Sequence, residues 1–225
     1  MKFTQSTLQK AGGVAALVNA VLALVSLIVA FGWIGPAALM DKAVLARLAL
    51  ENPAPLIFQD LLKFASAVTA SVLVIAMYHR LRRQAPRGMK TALFFGLFSI
   101  ALLLANASLS LFAVSQASTF TLLPLGAGGQ LGGTYRQFEI TAYVLHGLLN
   151  ELIGLLGMAA IFVNGFWYLP VNWAFLKTAN LPRWLCILGL AMGGMSLLPP
   201  LGIVVLTLSI PWALGLGATL LRKEN

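Results

Sequence analysis

The sequence predicts an all-α, polytopic integral membrane protein with six transmembrane helices and a short amphipathic outer helix. Hydrophobic residues make up 60% of the 225 residues and charged residues 9%, and the mean hydropathy is +0.90. The apolar residues occur in runs of about 20, the length that crosses a hydrocarbon core of about 30 Å. This composition excludes a soluble globule. We expect residues 1–225 to form a single membrane domain.

The charge is strongly basic, with a formal net charge of +9. In a soluble protein this excess would indicate nucleic-acid binding. Here the basic residues stand at the ends of apolar runs, where they set the orientation in the membrane. We therefore expect membrane lipids and no nucleic acid as partners. Cys186 is the only cysteine, which excludes an intrachain disulfide.

The first predicted span covers residues 11–34, which carry no charged side chain. A cleaved signal peptide is the alternative, but its apolar core is usually only about 7 to 15 residues long. Pro36 and the mixed stretch after it end the span. Four apolar residues in that stretch are spaced to line one side of a short helix at the outer interface: Leu39, Val44, Leu45 and Leu48.

The second and third predicted spans cover residues 55–78 and 91–115, joined by a basic segment. Residues 116–139 are predicted to form an outer loop, because their glycines have little helix propensity. The fourth span, residues 148–175, is expected to be tilted and to kink at Pro170.

The last two predicted spans cover residues 183–198 and 201–221, separated by Pro199 and Pro200. The fifth has only about 14 apolar residues, or about 21 Å of helix. A shallow hairpin that enters from one face is therefore an alternative to two full spans.

The distribution of lysine and arginine predicts the orientation, because short cytoplasmic loops hold the excess. With six spans, eleven of the fifteen basic residues fall on one side: Lys2, Lys10, Arg80, Arg82, Arg83, Arg87, Lys90, Lys177, Arg183, Arg222 and Lys223. This distribution predicts that both termini are cytoplasmic. We expect the membrane to be the bacterial inner (cytoplasmic) membrane.

Several short motifs resemble one uncharacterised prokaryotic membrane family. They are Ala11-Gly12-Gly13, His79-Arg80-Leu81-Arg82-Arg83, Asn180-Leu181-Pro182-Arg183-Trp184 with the residues up to Gly189, and Gly215-Leu216-Gly217-Ala218 with the residues up to Lys223. The family is catalogued as domain of unknown function 4386. The resemblance extends over nearly the whole chain. It implies a six-span fold and supplies no activity.

Ionisable side chains within the spans are costly and normally face the bundle interior. Asp60 and Lys63 lie one helical turn apart, so a local ion pair is one interpretation. The other pairs Lys63 with Glu151 between helices, leaving Asp60 for His146 or a ligand in a cavity that opens outward.

Polar and small residues recur along one face of span four. Such a stripe indicates either helix packing or a hydrated pocket or path beside spans two and three. The candidate polar pocket contains Asp60, Lys63, Asn106, His146, Asn150, Glu151 and Asn164.

The basic segment after span two is a candidate site for anionic lipid head groups, although membrane orientation alone also explains it. Its residues are Arg80, Arg82, Arg83, Arg87 and Lys90.

We expect no metal site and no cofactor, since His146 has no second histidine within reach and no HExxH motif is present. No catalytic residues are assigned, because the nucleophile motifs of hydrolases are missing from the sequence.

The favoured function is that of a small non-catalytic membrane protein. It would be an accessory subunit of a larger membrane complex or a binder of an apolar ligand or lipid. The alternatives are a transporter or channel with a polar path along span four, and a membrane enzyme that uses Glu151 and His146.

Overall fold

The computed structural model describes residues 5–121, 133–178 and 181–222, and these form α-helices joined by short turns. A π-helix, Val29–Ile34, continues α1, and a 3₁₀ turn, Pro199–Leu201, precedes α8. The eight helices are α1 Gln5–Ile28, α2 Pro36–Met40, α3 Lys42–Glu51, α4 Ala54–Leu81, α5 Pro86–Thr121, α6 Gly133–Thr178, α7 Arg183–Ser196 and α8 Gly202–Leu221.

Five helical segments among the described residues are long and apolar enough to span a membrane. They are Thr7–Ile34, Ala54–Leu81, Pro86–Gln116, Gly147–Thr178 and Gly202–Leu221. The prediction of a polytopic helical membrane protein is thus confirmed.

The predicted count of six full-length spans is wrong, because α7 has only 14 residues. At 1.5 Å per residue it is about 21 Å long, against a hydrocarbon core of about 30 Å. Proline has no amide hydrogen, so Pro199 and Pro200 cannot donate the bonds that would extend the helix. The last amides before them, those of Leu197 and Leu198, bond instead to carbonyls three residues back.

The six longer helices form a closed ring in the order α1, α4, α5, α6, α7, α8, with α8 packed against α1. Neighbours in the ring are antiparallel. Gln9 Nε2 donates to the carbonyl oxygen of Leu220 over 3.1 Å and joins the start of α1 to the end of α8. The two ends of the described chain therefore lie together. We call this end of the ring the basic end and the opposite one the outer end.

Small residues let the helices approach closely at the basic end, as in other membrane bundles. A Cβ atom on Gly12 of α1 would lie 2.6 Å from the Cβ of Ala76 of α4. Any side chain at this position would force the two helices apart.

The prediction of an outer loop over residues 116–139 is wrong at both ends, because α5 extends to Thr121 and α6 begins at Gly133. Residues 122–132 lie outside the described part. The glycines of this segment occur only from Gly126 to Gly133, so local propensity does not oppose helix on either side.

The outer interfacial helix consists of two pieces, α2 and α3. The Asp41 side chain caps α3 by accepting a 2.8 Å hydrogen bond from the Ala43 amide. Of the four apolar residues predicted to share one side, Leu45 and Leu48 are half-buried, whereas Leu39 and Val44 are 45% and 40% exposed.

Candidate functional site

A cluster of polar side chains joins α4, α5 and α6 in the outer half of the ring. Lys63 Nζ lies 2.7 Å from Asp60 Oδ1 and donates a 3.0 Å hydrogen bond to Asn106 Oδ1. Asn106 Nδ2 in turn donates to the carbonyl oxygen of Ile153 over 2.6 Å. We call Asp60, Lys63 and Asn106 the polar cluster.

The polar cluster has hydrogen-bonding capacity that the described residues do not use. Asp60 is 1% exposed, and its Oδ2 is buried without a partner among the described residues. The Oε1 of neighbouring Gln59 is buried and unpartnered in the same way. An ammonium has three donors, and these bonds of Lys63 use two. Since an unsatisfied buried polar group costs about 1 to 3 kcal/mol, the arrangement suits a partner that supplies a donor to Asp60.

Lys63 forms the local ion pair with Asp60, which was the first of the two predicted pairings. Gly157 of α6 faces Asn106 of α5. A Cβ atom added to Gly157 would lie 3.3 Å from Asn106 Nδ2. Glu151 precedes Gly157 by six residues and so lies about 120° away around α6. Its side chain is exposed.

No hydrogen bond among the described side chains connects Asn150 or Asn164 of α6 to the polar cluster. Asn150 is exposed on α6, and the side chain of His146 lies outside the described part. Asn164 is half-buried near the middle of the span Gly147–Thr178. The structure therefore brings three of the seven predicted pocket residues together: Asp60, Lys63 and Asn106.

Aromatic side chains fill the middle of the ring. The ring centroids of Trp167 and Tyr168 lie 5.8 Å and 5.1 Å from that of Trp212, each in a T-shaped arrangement. All three residues are buried, with exposures of 6% or less. We call them the aromatic layer. It separates the polar cluster from the basic end.

Two further polar contacts anchor this layer and were not predicted as a site. Trp212 Nε1 donates to Asn172 Oδ1 over 3.1 Å, and Asn172 Nδ2 donates to the carbonyl of Tyr168 over 2.8 Å. The position of Trp212 in the middle of a span, away from the interfaces, could have indicated this contact, because a buried indole N–H needs a hydrogen-bond acceptor. Gly189 of α7 makes room for the amide, since a Cβ there would lie 2.2 Å from Asn172 Oδ1.

The predicted lipid head-group residues lie together at the turn between α4 and α5. Arg80 is half-buried, and Arg82, Arg83, Arg87 and Lys90 are exposed. The Arg82 guanidinium lies 6.0 Å from the ring centroid of Tyr78. Within the described ranges, no group of three or more His, Cys, Asp or Glu side chains could hold a metal ion.

Comparison with known families explains the motif resemblance. Residues 12–221 match the family described as "Domain of unknown function (DUF4386)". The chain belongs to this family. No curated protein matches the chain, and no solved structure does.

The best of the DUF4386 motifs, Leu181-Pro182-Arg183-Trp184-Leu185, opens α7. Pro182 is the residue before the first helical position, and Trp184 is 57% exposed at the basic end. Leu185 is fully buried at 0% and contacts the α8 residue Gly215. In this DUF4386 protein the motif therefore starts α7 and packs it against α8.

Proposed function

We propose that this DUF4386 protein is a non-catalytic protein of the bacterial inner membrane that binds an amphipathic, membrane-dissolved ligand at the polar cluster. The observation that carries the proposal is the Asp60 carboxylate, which is 1% exposed and has one oxygen without a donor among the described residues. A membrane protein has little reason to keep an ionisable group in this state unless it serves binding or conduction.

The chemistry of the cluster indicates the polar group of the ligand. Asp60 Oδ2 requires a donor, and the third N–H of Lys63 can meet an acceptor. A hydroxyl group supplies both from one atom. The Lys63 side chain is 27% exposed, so the cluster can be reached from outside the ring. We therefore infer an apolar molecule with a hydroxyl head.

A transporter or channel receives less support from this arrangement. A path along α6 would have to cross the aromatic layer, where Trp167, Tyr168 and Trp212 are packed edge to face. Their burial supports a closed middle and a ligand site confined to the outer half.

The membrane-enzyme alternative relies on Glu151 and His146 acting in one cleft. Glu151 is exposed on α6 and about 120° away from the face that meets Asn106. The Asp60 and Lys63 charges neutralise each other within one helix, which favours binding of a neutral head group over proton transfer.

The orientation in this proposal follows the positive-inside rule, with the basic end in the cytoplasm. The described basic residues at that end belong to the termini of α1, α4, α5, α6, α7 and α8. The polar cluster would then lie in the outer leaflet half of the membrane.

The test is to purify the wild type from native membranes in mild detergent and identify extracted small molecules by mass spectrometry. The double variant Asp60→Asn/Lys63→Gln removes both charges at nearly constant shape and should lose the ligand. The control Arg47→Gln/Glu51→Gln removes the exposed pair of α3, whose side chains are 75% and 62% exposed, and should retain it. A wild type without ligand, or equal retention in both variants, would refute the proposal.

A role as an accessory subunit of a larger membrane complex remains a second prediction. Its test is co-purification of a larger membrane complex with the wild-type protein in mild detergent. A protein that always elutes as a monomer would contradict it.

A further inference from the structure

A crevice of about 200 Å³ opens at the basic end, between the turn that joins α4 to α5 and the last turns of α6. Its walls include Gln84, Gly88, Pro170, Trp173, Lys177 and Thr178. None of these residues belongs to the polar cluster, which lies beyond the aromatic layer. The crevice is therefore a separate feature.

The crevice continues into an apolar groove on the outside of the ring. This groove, of about 470 Å³, is lined by Leu169, Pro170, Trp173 and Leu190, and it shares Pro170 and Trp173 with the crevice. The polar side chains Gln84, Lys177 and Thr178 all line the crevice end of this depression, whereas leucine, proline and tryptophan line the groove end. A ligand that fits both must be amphipathic.

The charge around the crevice is positive. Lys177 lines it, with its ammonium 5.2 Å from the ring centroid of Trp173. Arg87 is adjacent in sequence to Gly88, and Arg82 and Arg83 precede them on the same turn. The described acidic side chains, Asp41, Glu51, Asp60 and Glu151, all belong to the outer half of the ring. Nothing acidic among the described residues offsets the positive charge here, so the crevice favours an anion.

The backbone explains why there is space. Gly88 has no side chain, and a Cβ there would lie 4.0 Å from the Cβ of Pro170, an ordinary contact distance. Alanine would therefore fit at this position, whereas a longer side chain would occupy the crevice. Pro170 has no amide hydrogen, so the carbonyl of Phe166 lacks its usual helical donor.

We propose that the crevice binds the phosphate of an anionic membrane phospholipid, with an acyl chain in the groove formed by Leu169, Trp173 and Leu190. Lys177 holds the phosphate, and the arginines of the turn add to the attraction. Trp173, 53% exposed, lies at the boundary between the head group and the chain. This site is independent of the polar cluster and of the proposed function.

The test measures binding of phosphatidylglycerol and phosphatidylcholine to the purified full-length protein by native mass spectrometry, with inorganic phosphate as a third probe. We expect phosphatidylglycerol to bind at least tenfold more tightly than phosphatidylcholine, and inorganic phosphate not to compete at millimolar concentration. Equal affinity for the two lipids would overturn the proposal, and displacement by inorganic phosphate would show a free-anion site instead.

Single-residue variants distinguish a defined binding site from general electrostatic attraction between the basic end and anionic lipids. Gly88→Leu fills the crevice without changing charge, and Lys177→Gln removes one charge; each should weaken phosphatidylglycerol binding about fivefold or more. Lys10→Gln, an equal change at an exposed residue of α1 outside the crevice lining, should weaken it less than twofold.

Gly88→Ala should bind phosphatidylglycerol as tightly as the wild type does. This result would show that position 88 tolerates substitution. If Gly88→Leu does not fold, the comparison of Lys177→Gln with Lys10→Gln decides between the outcomes, since both are exposed surface changes. Equal losses in those two variants would overturn the proposal.

Discussion

The indole Nε1 of Trp212 in α8 donates a 3.1 Å hydrogen bond to the Oδ1 of Asn172 in α6, and both residues are buried, at 1% and 0% exposure. Because α8 and α6 are not neighbours in the ring order, this bond crosses the interior. It links the half of the ring formed by α1 and α8 to the half formed by α5 and α6. The aromatic layer in the middle of the bundle thus contains a specific polar contact between helices that are not neighbours.

We predict that Trp212→Phe destabilises the fold by about 1 to 2 kcal/mol. The change keeps an aromatic ring but leaves Asn172 Oδ1 buried without its donor. Unfolding by a denaturing detergent titration measures the loss. Trp184→Phe is the control, because Trp184 is 57% exposed, and it should change stability by less than about 0.5 kcal/mol. Equal stability of the two variants would show that the crossing bond contributes nothing.

Gly189→Ala should destabilise the protein by about 1 to 3 kcal/mol, because the new Cβ would lie 2.2 Å from Asn172 Oδ1. Gly194 lies in the same helix, and a Cβ atom added there would have no neighbour within 4 Å. Gly194→Ala should therefore be neutral or slightly stabilising. Thermal unfolding in detergent compares them. Combining Gly189→Ala with Asn172→Ala should cost less than the sum of the two single changes; strict additivity would argue against the contact.

Lys63→Met should destabilise the protein by about 2 to 4 kcal/mol, since it leaves the buried Asp60 carboxylate without its cation. Adding Asp60→Asn should recover part of this loss, because the unpaired charge disappears. The comparison is Arg47→Met in the exposed Arg47–Glu51 pair, which should cost much less because solvent screens the two charges. The expectation fails if Lys63→Met is no more harmful than Arg47→Met.

The orientation can be checked with single cysteines and a membrane-impermeant maleimide in spheroplasts. Met40→Cys lies at the outer end, where Met40 is 89% exposed, and should be labelled in intact spheroplasts. Arg222→Cys, exposed at the basic end, should react only after the membrane is broken. The native Cys186 is buried at 0% and should remain unlabelled in the folded protein. The opposite labelling order would reverse the proposed topology.

The positions of the spans could be predicted because they depend on the chain alone. Helix α4 covers Ala54–Leu81 where residues 55–78 were predicted, and α8 covers Gly202–Leu221 where 201–221 were predicted. A run of apolar residues must form a helix in lipid, since every backbone group needs an internal partner. Proline pairs and basic clusters then mark the ends.

The partners of individual side chains could not be predicted in the same way. Apolar runs show that a helix crosses the membrane but not how far it is rotated about its axis. That rotation turns Asn106 toward Lys63 and leaves Glu151 exposed. The Trp212 and Asn172 contact likewise depends on which helices meet across the ring, which is decided by the packing of small residues such as Gly189.

The short helix α7 has a mechanical consequence for the surrounding lipid. At about 21 Å it is roughly a third shorter than the acyl region it faces, whereas α8 beside it has 20 residues and about 30 Å of length. Such a mismatch is relieved when the bilayer thins beside the shorter wall. One flank of the protein should therefore draw the two leaflets toward each other and favour membrane regions or lipid species that are already thin.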